Sequence, residues 1–145
     1  MSKPGTRGKP NILITGTPGC GKTSVATDVA AKLGFKHFNP FLGSNEGGVV
    51  VEYHACELFP ERWFDGVFVL RCSNTILFDR LTARGYSEQK IKENVECEIF
   101  GTIVEEAKES YKEEIVKEVQ NDFKEQLEEN VNLIVNWAKT LIKNK

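Results

Sequence analysis

Asn11-Ile12-Leu13-Ile14-Thr15-Gly16-Thr17-Pro18-Gly19-Cys20-Gly21-Lys22-Thr23 decides how this chain is read. From Gly16 to Thr23 it satisfies G-x-x-x-x-G-K-[ST], a loop that cradles phosphate. The residues before it, Asn11 to Thr15, are apolar and β-branched, which reads as a buried parallel strand. After it, Val25, Val29 and Leu33 recur every fourth residue as a helix stripe, and Gly34 sits where a helix ends on glycine. An ordinary glycine-rich turn would not require this strand, loop and helix in series. The glycines let successive N–H groups point inward as an anion nest, and the helix adds the positive end of its dipole. Gly19, Cys20 and Gly21 are therefore expected to wrap phosphate, with Lys22 reaching the β- and γ-phosphates. The Thr23 hydroxyl is placed to bind Mg²⁺, and Ser24 to approach the α-phosphate. A nucleoside-triphosphate site follows, with ATP and Mg²⁺ as the expected cofactors.

The whole chain agrees with one globular α/β domain. Its 145 residues suffice for a real core, and 40% hydrophobic with 28% charged residues is a globular composition. A formal net charge of −2 gives no global pull toward nucleic acid or membrane. No apolar run reaches membrane-spanning length, and the first residues lack a signal-peptide core. Cys20, Cys56, Cys72 and Cys97 show no C-x-x-C spacing and read as reduced thiols inside a cell.

Taken in order, residues 1–10 read as a flexible tail, and residues 11–145 as a single kinase-like domain. Phe35 to Phe38 alternates as a short strand in which His37 faces solvent. Asn39 to Gly48 has loop chemistry, with Pro40, Ser44 and glycines. Val49-Val50-Val51-Glu52-Tyr53-His54 is a β-branched strand that brings an acid to its C-terminal end. Glu52 is the candidate acid for the Mg²⁺ shell, and His54, two residues on, is expected on the same face as a water-orienting group. Leu58 to Phe64 reads as aromatic packing, and Val67 to Leu70 as another buried strand. A helix follows, capped by Ser73 or Asn74 and stopped at Gly85. Arg80 and Arg84 lie one turn apart on it, and near a triphosphate either guanidinium would neutralise charge. Tyr86 to Lys92 reads as a short mobile segment. Val95, Ile99, Ile103 and Ala107 predict one amphipathic helix. Ile115, Val116 and Val119 suggest a last strand, with helical continuation as the alternative. Asp122 is the expected cap of a closing helix on Leu127, Val131, Ile134, Ala138 and Leu141, with Trp137 beside the stripe. This alternation predicts a three-layer α/β/α fold around a mostly parallel sheet.

Several blocks together resemble the adenylate kinase isoenzyme 6 family: Ile14 to Thr23, Gly47 to His54, Phe59 to Phe64, Arg84-Gly85-Tyr86, Cys97 to Phe100 and Ser110 to Val116. The resemblance covers most of residues 10–142. It implies ATP-to-AMP phosphoryl transfer with ATPase activity, a nuclear and cytoplasmic location, and small ribosomal subunit maturation through a ribosomal protein partner. It puts ATP on Gly19, Gly21, Lys22, Thr23 and Ser24, and Arg84 in a lid from about residue 83 to 93. The family's Asp-x-His is here Glu52-Tyr53-His54, one methylene longer at the metal-facing acid.

The larger departure is between Asn39 and Gly48. Family members carry a helical monophosphate-binding segment there, with an arginine for the acceptor's phosphate. This chain has ten residues without arginine or lysine. Extended, they reach about 33 Å, enough to return along a strand of roughly 17–20 Å, though crossovers usually take a dozen residues or more. The donor half is expected to be complete and the AMP-binding half reduced. A nucleotide-dependent binding module and a chain that does not fold stably are the alternatives.

Overall fold

The computed structural model describes residues 8–37, 47–54 and 60–142. The tail up to residue 7, Phe38, nearly all of the short loop, the start of the aromatic connector and Cys56 lie outside them. Five parallel strands form one sheet in the order β2-β3-β1-β4-β5: β1 Asn11–Gly16, β2 Lys36–His37, β3 Val49–Tyr53, β4 Gly66–Arg71 and β5 Val116–Gln120. The helices are α1 Lys22–Leu33, α2 Asn74–Ala83, α3 Glu88–Ile99, α4 Thr102–Ser110 and α5 Lys124–Leu141.

Strand alternation sorts the core into two layers. Ile12, Ile14, Val50, Phe68 and Leu70 face α1 and α5, meeting Val25, Val29, Val131 and Ile134. Leu13, Val49, Val51, Val67 and Val69 face the other way, onto Val104, Ala107 and Tyr111 around α4. Burial on both faces explains why the strands read as continuous apolar runs. The three-layer α/β/α arrangement is the one the sequence predicts.

Trp137 of α5 closes one layer, packing edge-on against Phe68 with ring centroids 5.2 Å apart. Gly66 makes room for it. A Cβ at Gly66 would sit 2.7 Å from Trp137 Cζ2 and 3.1 Å from the Phe68 ring. Gly66→Ala should therefore overpack the core and lose about 1–3 kcal/mol, read as a lower urea midpoint at unchanged slope. An unchanged midpoint would show that the ring moves freely.

Three expectations are corrected. Residues from Glu88 onward are helical and not an irregular segment, because Ser87 Oγ accepts the Lys90 N–H at 3.2 Å and starts α3. The single helix predicted through Ile99 and Ala107 is two. Gly101 takes φ +64°, a left-handed turn that breaks the run and leaves Ile99 and Phe100 exposed. Asp122 does not cap α5. Its carboxylate accepts the Ser73 N–H at 2.7 Å, ahead of α2, while Gln126 Oε1 reaches back to the N–H groups of Asp122 and Phe123. Ser73 and Gly85 do bracket α2 as predicted, and Val116 to Gln120 is a strand.

Candidate functional site

The loop between β1 and α1 opens at the C-terminal edge of the sheet, where β1 lies between β3 and β4. Ligands of open α/β sheets bind at such an edge. A cleft of about 340 Å³ there is lined by Pro18, Gly19, Gly21, Lys22, Thr23 and Ser24 from the loop and α1. Glu52, Tyr53 and His54 close one side, and Arg84 another. The residues proposed from the sequence for ATP or Mg²⁺, apart from buried Cys20 and from Arg80, thus border one space.

Gly16, Gly19 and Gly21 have φ of +150°, +97° and +89°. At Gly21 the need for glycine is double, since a Cβ would meet Asn121 Nδ2 at 2.6 Å. The carbonyls of the loop are held from behind. Asn121 Nδ2 donates to Cys20 O at 2.8 Å, and Arg80 Nη1 to Gly19 O at 3.0 Å. Arg80 also donates to the carbonyls of Asn121 and Asp122. This settles the Arg80–Arg84 pair: Arg80 clamps backbone, while Arg84 is exposed and lines the cleft.

Lys22 is half-buried, and its Nζ donates to Gly16 O at 2.9 Å. Burial lowers its pKa most, nearby Arg84 adds to the lowering, and Glu52 among others opposes it. A bound phosphate would supply the missing counter-charge.

Thr23 Oγ1 donates to Glu52 Oε2 at 2.7 Å. A hydroxyl and a carboxylate converging on a phosphate cleft form the hard-oxygen donor set that suits Mg²⁺, so the residues fit that ion. Glu52 Oε1 is held in turn by His37 Nε2 at 2.9 Å. His37, read as a solvent-facing strand residue, is thus a partner of the acid. The parallel register pairs His37 with Val50, so His37 shares a face with Glu52, two residues further along β3. His54 is exposed beside the Tyr53 ring just past the end of β3, and it borders the cleft with Glu52.

Glu98 of α3 carries no local sequence signal of a site residue. Only 3% exposed, its carboxylate accepts from Thr17 Oγ1 at 2.8 Å, Arg71 Nε at 2.7 Å and the Cys72 N–H at 2.9 Å. It ties the phosphate loop to the end of β4. No group of three or more His, Cys, Asp or Glu residues placed to hold a metal occurs among the described residues. Nor is any of their helices long and apolar enough to cross a membrane.

A family model described as an AAA domain matches residues 36–101. In solved structures the fold is similar to a gluconokinase from Sinorhizobium meliloti, with TM-score 0.60 and 17% identity over 94% of this chain and 97% of that one. It is also similar to deoxyadenosine kinase from M. mycoides with bound dATP, with TM-score 0.58 and 16% identity over 89% and 99%. At such identities the likeness is one of fold.

The curated relatives are nearer. An adenylate kinase isoenzyme 6 homolog of Caenorhabditis elegans is 49% identical, covering 95% of this chain and 94% of that protein. The Drosophila melanogaster homolog is 41% identical over 94% and 96%. The worm alignment runs over 171 positions against a chain of 145 residues, so that relative carries residues this chain lacks. On these identities and coverages, the chain belongs to the adenylate kinase isoenzyme 6 family.

Proposed function

We propose that this chain is an ATP-dependent phosphotransferase of the adenylate kinase class with a working donor site. In this reading it hydrolyses ATP and transfers phosphate to AMP poorly. The observation that carries it is the single cleft that gathers Lys22, Thr23, Ser24, Glu52 and Arg84 around a glycine nest. Lys22 and the loop N–H groups hold the phosphates, and Arg84 faces the charge that spreads over the transferred group. Mg²⁺, when bound through Thr23 and Glu52, would neutralise phosphate oxygens. His37 fixes one oxygen of Glu52 and so orients the acid. Weak AMP transfer follows from the ten-residue 39–48 segment, which has no cation to hold an acceptor phosphate. Small ribosomal subunit maturation with a ribosomal protein partner, in nucleus and cytoplasm, belongs to the same proposal and rests on the family resemblance.

Calorimetric titration with Mg·ATP and then with AMP tests it. ATP binding without AMP binding is the expected result. AMP phosphorylation as fast as that of a full-length relative would overturn the weak-acceptor reading, and no ATP binding would overturn the whole. If Arg84 acts on developing charge, Arg84→Ala should lower kcat about a hundredfold with little change in ATP affinity. A loss confined to affinity would assign Arg84 to ground-state binding.

A further inference from the structure

Thr17 is fully buried and holds the phosphate loop in two directions. Its carbonyl accepts the Cys20 N–H at 3.1 Å, and Gly19 between them has φ +97°. With Pro18 second and a positive-φ glycine third, Thr17 to Cys20 has the signature of a type II turn. The Thr17 hydroxyl points the other way and donates to Glu98 Oε1 at 2.8 Å. The turn that opens the cradle is thus pinned through one hydroxyl to one carboxylate.

The carboxylate is itself held fast. Its other oxygen accepts from Arg71 Nε at 2.7 Å and from the Cys72 N–H at 2.9 Å, while Arg71 Nη2 donates to the Glu98 carbonyl at 2.7 Å. The end of β4 therefore fixes Glu98, and Glu98 fixes Thr17. The later part of the loop has separate holds, Arg80 on the Gly19 carbonyl and Asn121 on that of Cys20. Pro18, next to Thr17, lines the cleft, so a shift at Thr17 passes directly into the cleft wall. Three donors meet this side chain, more than the two lone pairs of an amide oxygen could serve.

We propose that Glu98 is a positioning residue for phosphoryl transfer, setting through the Thr17 hydroxyl the turn from which the phosphate-binding N–H groups are laid out; this rests on the nucleotide reading of the site. Glu98 is buried and does not line the cleft, so it acts on the reaction only through Thr17. Binding of ATP is shared among several loop N–H groups and Lys22, and it tolerates a small shift at one end of the loop. The transition state is less forgiving. Its donors must be held to about 0.5 Å, and a misplacement of about 1 Å can cost a hundredfold in rate. A loosened Thr17 therefore lowers kcat and spares ATP affinity.

The test compares Thr17→Val, which keeps the shape and removes the hydroxyl, with Thr17→Ser, which keeps the hydroxyl, in the full-length chain. For ATP hydrolysis, Thr17→Val should lower kcat about tenfold, with calorimetric ATP affinity within about threefold of wild type and Thr17→Ser close to wild type. Amide hydrogen exchange of the ATP-free chain should quicken across residues 17–24 in the valine variant alone. Gly66→Ala controls for stability, since it loosens the core at the start of β4, the far edge of the sheet from the cleft, and it should leave kcat unchanged. If Thr17→Val does not fold, Thr17→Ala takes its place with the same expectations. An unchanged kcat in the folded valine variant, equal losses with valine and serine, or a loss confined to ATP affinity would overturn the proposal. A wild-type chain that neither binds nor hydrolyses ATP would instead overturn the nucleotide reading, and the exchange rates would still report whether the hydroxyl holds the loop.

Discussion

Glu98→Ala should lower folding stability by about 3–5 kcal/mol, the usual result of removing one partner from a buried charged network. The carboxylate serves three donors at once, on Thr17, Arg71 and the Cys72 backbone. Alanine would leave the Thr17 hydroxyl and the Cys72 N–H unsatisfied in the interior. It would also strip Arg71 of its buried counter-ion, keeping only the half-exposed Glu118 at 2.9 Å. In thermal unfolding this corresponds to a drop of roughly 10 °C for a chain of this size. Glu98→Gln keeps the shape and part of the hydrogen bonding, so it should fall between. A loss under about 1 kcal/mol would mean that water replaces the carboxylate at no cost.

Lys22→Ala should weaken Mg·ATP binding at least a hundredfold, about 2.7 kcal/mol, while leaving the fold unchanged by circular dichroism. The ammonium is the only cation of the loop, and it waits on Gly16 O, a partner that gives up little when phosphate arrives. Charge-assisted bonds to phosphate are worth about 1.5–3 kcal/mol each, and an ammonium can make more than one. Affinity within threefold of wild type would remove Lys22 from the cradle. The lowered pKa of Lys22 adds a sign: above it the ammonium is lost. ATP affinity should therefore begin to fall at a pH below the ordinary lysine value, and Lys22→Ala should lack that dependence.

The sequence is most legible where function forces local regularity. Ile12 to Gly21 and the Val25–Val29 stripe carry strand, loop and helix in one uninterrupted signal, and the structure has all three. What was not legible is what depends on distant partners. Arg80 and Arg84 look alike along α2, and only contact with Gly19, 61 residues away, makes one of them a backbone clamp. Glu98 reads as one acid among many until Thr17, 81 residues earlier, is brought against it. His37 gains its role from the β2–β3 register, which no period within the two-residue strand could reveal. Asp122 failed differently. An acid before a helix has the same local pattern whether it caps that helix or the start of another. At Gly101 the signal was present, but the apolar spacing on either side outweighed it.

Asn121 carries one more consequence. Its side chain holds the carbonyl of Cys20, 101 residues away. Because the peptide is planar and trans, this aims the N–H of Gly21 in the opposite direction, away from Asn121. The phosphate motif is complete by residue 23, yet the contacts that hold its carbonyls come from Arg80 of α2 and, last, from Asn121 in the turn after β5. During synthesis on the ribosome, a nascent chain would therefore carry the whole signature for most of its length without a formed cradle. Its capacity for phosphate would switch on late, when the last strand docks.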